Sequence, residues 1–482
     1  MMNKVLIVSL ISAGVLSGCV SNSAKMDQAT VTSVGKDNTQ FTASFSKQGR
    51  VLPYRVLRND LIDAKTNKPF EIRNGGYGSA MTANPNKANQ FYALTDRGPN
   101  ANYTGDYGKG KSFPVAAYTP RIGLFEVASN GDVSMVKSIL LKTPEGGLIS
   151  GLPNTSALGG TGETPYHANG EPVLMDASKP YNKETNPIKL DDYGLDGEGL
   201  VALKDGSFWI SDEYGPHMVH FDKKGVEIGR INAFQQDERN VYHLPAVFQH
   251  RRANRGMEGL AITPDESTLV GIMQSTMKNP DKAAQKGDLT RIVTVNLRNG
   301  HTEQYLYRQE KAQNSNSELA TLNEHEFLVI ERDGGFLFGG PLGKVKANPN
   351  VQKQVYRFDL STGTPLSTVA LSASIKRDAS HGLMIDGLTL EQYAQNNGWD
   401  ALAKKGIKPV SKVLVADMVK EVAYPHDKME GLWVIDEHHL GVLNDDDFAT
   451  WSTKGRLEQK MLDKNTVDAN RLYIIKADLM GK

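Results

Sequence analysis

The chain has 482 residues, 39% of them hydrophobic, enough for a large core that needs no disulfides. Lys plus Arg and Asp plus Glu both number 55, so the formal charge is zero and the charge balance points to neither nucleic acid nor an acidic membrane surface. With 46 Gly and 21 Pro, the composition disfavours a helical bundle and suits many short strands and tight turns.

Residues 1–18 read as a secretory signal. Lys4 supplies the charged start, an apolar run follows over 5–15, and small residues precede the only cysteine, Cys19. The run is too short to span a bilayer. Leu16-Ser17-Gly18-Cys19 resembles the bacterial lipobox. That resemblance implies cleavage before Cys19 and acylation of its thiol, with the acyl chains as the contact to a lipid membrane. In the sorting rule this resembles, Asp after the Cys retains a lipoprotein at the inner membrane; here the residue is Val20, so the outer membrane is expected. The alternative is an ordinary signal peptide with an incidental Cys. Residues 19–44 are polar and read as a lipidated tether. Residues 45–482 read as one domain, expected as a monomer.

The chain then repeats itself. Gly197-Glu198-Gly199-Leu200 leads through an apolar run and a Lys-Asp-Gly turn at 204–206 into Phe208-Trp209-Ile210-Ser211-Asp212-Glu213. Met257-Glu258-Gly259-Leu260, Ser317-Glu318-Leu319 and Met429-Glu430-Gly431-Leu432 open similar hairpins. A diverged copy starts at Gly78-Ser79-Ala80-Met81 and ends at Thr95-Asp96-Arg97. Glu198, Glu258 and Glu318 are 60 residues apart; Glu430 follows after 112, and Ser79 precedes Glu198 by 119. Hairpins at a period near 60 predict an all-β fold, a β-propeller of four-stranded blades. Seven blades fit best, or six if 140–195 is one long insertion. Thr389-Leu390-Glu391-Gln392 is a capping-box pattern and predicts one inserted helix over 393–405.

In a propeller the first strand of each blade lines the central channel. Glu198, Glu258, Glu318 and Glu430 are therefore expected to face one another at its mouth. Carboxylates so crowded need bound cations, Arg or Lys partners, or a wide wet channel. Oxygen donors without Cys suit a hard divalent metal, Ca²⁺ first. Arg97, Arg255 and Arg332 adjoin the same motifs, with His217 and His426 nearby, and Asp212 and Asp445 end two of the hairpins. Arg forks suit phosphate or carboxylate. We therefore expect Glu198, Glu258, Glu318 and Glu430 as metal ligands, and Glu258, Glu198, Arg255 and Arg332 as catalytic groups. Arg97, Arg332, His217, His426, Asp212 and Asp445 are the expected substrate contacts. The bland alternatives are Glu side chains that bond backbone amides, a solvated turn at Asp445-Asp446-Asp447, surface ion pairs of Arg97 with Asp96 and Arg332 with Asp333, and bystander histidines. No serine-hydrolase, zinc-protease or nucleotide-loop pattern is present.

Thr95-Asp96-Arg97-Gly98-Pro99-Asn100, Asp196-Gly197-Glu198-Gly199-Leu200 with Ser211-Asp212-Glu213-Tyr214-Gly215-Pro216, and Asn254-Arg255-Gly256-Met257-Glu258-Gly259-Leu260 with Met273-Gln274-Ser275 form an ordered set. Glu331-Arg332-Asp333 and Lys428-Met429-Glu430-Gly431-Leu432 with Asn444-Asp445-Asp446-Asp447-Phe448 complete it. Together they resemble the phytase-like family, "esterase-like activity of phytase", over about 50–475. The sequence departs from the family's look at Gly76-Tyr77-Gly78-Ser79-Ala80, where a Gly-Leu-Ser-Gly-type turn would be expected. The resemblance implies hydrolysis of phosphate or other esters, and a distant likeness to calcium-dependent propeller phytases. A shared propeller does not fix a reaction. Three functions follow as expectations: a metal-dependent phosphoesterase acting on a small-molecule ester, a Ca²⁺-holding lactonase or carboxyl-esterase propeller, or a non-catalytic propeller that binds a ligand or partner.

Overall fold

The structure is a computed structural model that describes residues 28–34, 40–343 and 345–481. The signal segment and Cys19 lie outside the described residues. Among the described residues, five mainly antiparallel sheets of at least four strands stand side by side. Their first strands are Ala80–Ala83, Gly197–Ala202, Met257–Ile262, Ser315–Thr321 and Gly431–Asp436, and each touches the next, the fifth returning to the first. This closed ring defines a β-propeller.

Strand alternation builds the ring. Neighbouring residues of a strand point to opposite faces, and here both faces are covered by an adjacent blade. In Phe208–Asp212, Phe208 and Ile210 pack against blade one with Leu94 and Ile122, while Trp209 packs against blade three with Leu260 and Leu269. Val270 and Ile272 reach blade four at Phe327 and Val329. Leu328 and Ile330 meet Leu440 and Val442 of blade five. Trp433 and Leu443 close the ring on Phe91 and Ala93 of blade one. The ring is also latched by sequence ends: Arg50–Val51 pairs with Arg471–Lys476 as the outermost strand of the fifth blade.

Five radial sheets stand where the repeat predicts seven or six. The period of 60 holds only from blade two to blade four. The step of 119 contains one blade plus a mouth-side excursion over 141–196, and the step of 112 contains one blade plus an insert between Lys353–Asp359 and Ser411–Asp417. The insert holds the expected helix, Leu390–Asn397, started by a capping box between Thr389 and Gln392. It stops at Gly398, whose φ of +80° a side chain would resist, and a second helix, Trp399–Lys404, follows. The expected tether is partly structured: Gln28–Val34 pairs with Gln40–Ser46, and Val31, Ala43 and Phe45 pack with Leu472 and Ile474. Among the described residues no helix is long and apolar enough to cross a membrane.

Candidate functional site

The Glu-Gly-Leu repeat aims side chains at the axis through a backbone device. In blade two, Gly197 pairs with Asp212 and Gly199 with Ser211, leaving Glu198 as an extra, bulged residue. Glu258 is bulged in the same way between Met257 and Gly259. The glycines let neighbouring inner strands approach: a Cβ on Gly259 would lie 2.4 Å from the Ser317 carbonyl oxygen, and one on Gly199 2.7 Å from the Leu260 nitrogen. Antiparallel pairing also brings the end of each second strand to the start of its first. Glu213, Gln274, Arg332 and Asp445 reach the channel mouth by register alone, with no inward-folding loop required.

Asp196, Glu198 and Glu213 each offer an oxygen, and these oxygens lie within 4.8 Å of one another. All three residues are buried. Gln274 donates to Glu213 Oε1 at 2.6 Å and to Glu258 Oε2 at 2.8 Å. Burial, then Glu258, Glu213, Asp196 and Glu430 in turn, pushes the Glu198 carboxyl well above its ordinary range. Burial and the charges of Glu213 and Glu430 raise Glu258, whose side-chain hydrogen bond with Glu213 raises it further, and Glu213 is itself raised to about 7 by burial and Asp196. Asp96 is raised to about 8, by burial first and Asp196 second.

Cations answer only part of this charge. Arg97 Nε lies 3.2 Å from Asp196 Oδ2, and its Nη1 donates to Asn254 at 3.1 Å and lies 3.5 Å from Glu163. Arg332 pairs with Glu430 and approaches Glu258 to 4.0 Å. Both arginines are buried, and neither forms the alternative surface pair with its neighbouring Asp. Glu430 Oε2 is buried without a hydrogen-bond donor, and Asp196 Oδ2 has only the Arg97 contact. Hard oxygen donors, excess negative charge and orphaned lone pairs form a donor set that fits Ca²⁺ or Mg²⁺.

Glu318 stands apart from its repeat partners. Its carboxylate accepts from the amides of Met81 at 3.2 Å, Leu260 at 3.4 Å and Leu319 at 3.1 Å, and the Leu200 amide also bonds to it. These amides come from the inner strands of four blades. Glu318 therefore clasps the ring at its axis, and its oxygens are committed to backbone rather than to the mouth. Beyond it the channel continues as a cavity of about 450 Å³, lined by Leu200, Leu260, Leu319 and Leu432 together with Thr82, Thr263 and Lys204.

The remaining expected contacts divide. Arg255 is half-buried at the rim, with Ser315 Oγ 3.5 Å away. Asp445 is buried at the mouth under Lys428, 2.6 Å away. Three expected substrate contacts are taken up by the scaffold instead. Asp212 accepts from the amides of Asp196 at 2.8 Å and Gly215 at 3.0 Å, which fixes the turn carrying Glu213. His217 is fully buried beside Asn154 at 3.3 Å, and burial holds its pKa well below the usual value, so the ring is neutral. His426 is also fully buried, bonded to Asp468 at 2.7 Å and to Tyr473 at 2.9 Å. In the triple-Asp run Asp445 and Asp446 are buried and Asp447 is half-buried, so the run is not a solvated turn. Asp445 and Asp447 share Lys428, Lys460 adds Asp447 at 2.6 Å and Asp427 at 2.9 Å, and Asp446 accepts from the Gly76 amide at 2.8 Å. Asp196 and Glu213 were missing from the expected ligand set. Asp196-Gly-Glu198 was the available signal for the first, and hairpin register for the second.

A curated relative, an uncharacterised secreted protein of Arthroderma benhamiae, is 26% identical over 246 residues, which cover 41% of this chain and 45% of the relative; the chain thus matches less than half of that protein's length. Among solved structures, the chain is similar to the aldose sugar dehydrogenase of Streptomyces coelicolor at 10% identity and a TM-score of 0.30, covering 94% of this chain and 99% of that one. It is also similar to the periplasmic gluconolactonase of Pseudomonas aeruginosa, at 11% identity and a TM-score of 0.29, covering 93% and 99%. A family model described as "Phytase-like: Esterase-like activity of phytase" matches residues 72–448, and the chain belongs to that family.

Proposed function

We propose that the protein is a divalent-cation-dependent hydrolase of phosphate esters. The observation that carries this reading is the buried group Asp196, Glu198 and Glu213, set among further carboxylates with too few cations to neutralise them. These three residues would hold the ion, with Ca²⁺ the first choice for an all-oxygen set. When bound, such an ion supplies charge neutralisation and an acidified water. Glu258, its carboxyl pushed up by burial and by the neighbouring Glu213, is, with Gln274 fixing both carboxyls, the group placed to move a proton. Arg332 stabilises charge that builds beside Glu258, and Arg97 does the same beside Asp196. Arg255 supports an anion at the rim. Membership of the family supports an ester substrate. We place the chain in the cell envelope, anchored at the outer membrane through an acylated Cys19.

Metal analysis of the purified chain, followed by a phosphate-ester and lactone panel with and without EDTA, tests this. The expected result is a bound divalent ion and phosphate-ester turnover that EDTA abolishes. Turnover of lactones alone, or activity indifferent to chelation, would overturn it.

A further inference from the structure

Beside the channel mouth lies a second feature that the acid cluster does not use. A cleft of about 720 Å³ is bounded by the hairpin Ala101–Gly105 and Gly108–Ser112, by loop 161–163, and by the turn at Lys454 and Gly455. Register puts Lys109 opposite Thr104 and Lys111 opposite Asn102, so the two lysines share one face of the hairpin. Lys454 lines the same cleft. Among the described residues none of these three lysines has a carboxylate within ion-pair distance, whereas Lys428 and Lys460 each have two or more. The one acid in the lining, Glu163, is already engaged by Arg97, Thr161 and Asn254. Burial and the nearby Arg97 push the Lys111 amine down to about 8. The path from the cleft to the acid triad is one side chain long: Glu163 touches Arg97, and Arg97 touches Asp196.

We propose that this cleft is an anion-recognition site for a phosphate monoester, held by Lys109 and Lys454 in its lining, with Lys111 next along the hairpin face that carries Lys109. The lining is polar apart from Tyr103, so the ligand is hydrophilic. Three unpaired cations around one space favour a dianion over a single carboxylate. The inference rests on the hydrolase reading above for its purpose, since the cleft would deliver the ester to the triad. Its binding chemistry is independent of turnover.

The test is calorimetric titration of inorganic phosphate, and separately of gluconate, into the purified chain in EDTA. Variants Lys109→Ala, Lys454→Ala and Lys109→Arg are compared, with Ca²⁺ titration as the second arm. Lys109 and Lys454 are exposed, so the fold should tolerate these changes. Each Ala variant is expected to weaken phosphate binding about tenfold, the loss of one charge-assisted contact. Lys109→Arg should retain most of the affinity, binding should weaken as salt rises, and Ca²⁺ binding should be unchanged. Phosphate affinity equal in wild type and the Ala variants, or gluconate bound more tightly than phosphate, overturns the proposal. Ca²⁺ binding without phosphate binding sinks the cleft alone. Phosphate binding without Ca²⁺ binding supports the cleft and sinks the cation-dependent mechanism.

Discussion

Two buried carboxylate clusters sit at the same end of this propeller, and they are neutralised in opposite ways. In blade five, Asp427, Asp445, Asp447 and Asp468 surround Lys428, Lys460 and His426, so nearly every oxygen has a cation or a donor. In blades two and three, Asp196, Glu198, Glu213 and Glu258 share one arginine contact at Asp196, a second at 4.0 Å from Glu258, and the Gln274 amide. The first cluster is an internal salt network. The second is short of positive charge. An Asp-Asp-Asp run looks like the better metal site on paper, yet its own lysines fill that role. The dispersed Asp-Gly-Glu and Asp-Glu pairs leave theirs open.

The sharpest way to break this contrast is to remove one acid from the uncompensated cluster. Glu258→Gln removes the titratable carboxyl beside Glu213, and phosphate-ester turnover should fall by about 10²- to 10⁴-fold, read as kcat. Stability should change little by comparison. Lys460→Met in the compensated cluster should do the reverse. It leaves Asp427, Asp447 and Asp468 buried without their shared cation, at a cost of roughly 3–5 kcal/mol in denaturant unfolding.

Glu318 tests whether repeat position or local bonding decides a role. Glu318→Ala strands the amides of Met81, Leu260 and Leu319, and should destabilise the chain by about 3 kcal/mol. Ca²⁺ affinity of the folded variant should stay near that of wild type.

The smallest effect is a pH slope. Asp96 is raised to about 8, Glu213 to about 7 and Asp446 to about 7, each by burial first. A carboxyl with a raised folded pKa keeps a proton that the unfolded chain has already released. The folded state therefore binds more protons between the ordinary carboxylate range and about 8, and stability without added cation should fall as pH rises through that window. Thermal melting in EDTA at stepped pH checks this; a melting point that climbs across the window would contradict it. Ca²⁺ should flatten the slope, because it replaces the protons.

Much of this was legible before any fold was known. The period of 60 identified the hairpins, Glu198, Glu258 and Glu430 do converge, and the capping box at Thr389 does start a helix. Blade number was not legible, because an insert inside blade four and an excursion before blade two lengthen the repeat with small side sheets that do not join the ring. Glu318 carries the same local pattern as its partners, and only the convergence of four strands on its oxygens separates it. His426 could not be told from a ligand until Asp468 and Tyr473, 42 and 47 residues away, were seen to hold both ring nitrogens. Repeats reveal where side chains point; long-range partners decide what they do there.

The central claim is that the uncompensated cluster takes a divalent cation and the compensated one does not. Calorimetric titration of Ca²⁺ into wild type, Glu198→Gln and Asp447→Asn tests it most directly. The account predicts one strong site in wild type and in Asp447→Asn, and its loss in Glu198→Gln. Binding kept in Glu198→Gln but lost in Asp447→Asn would contradict it.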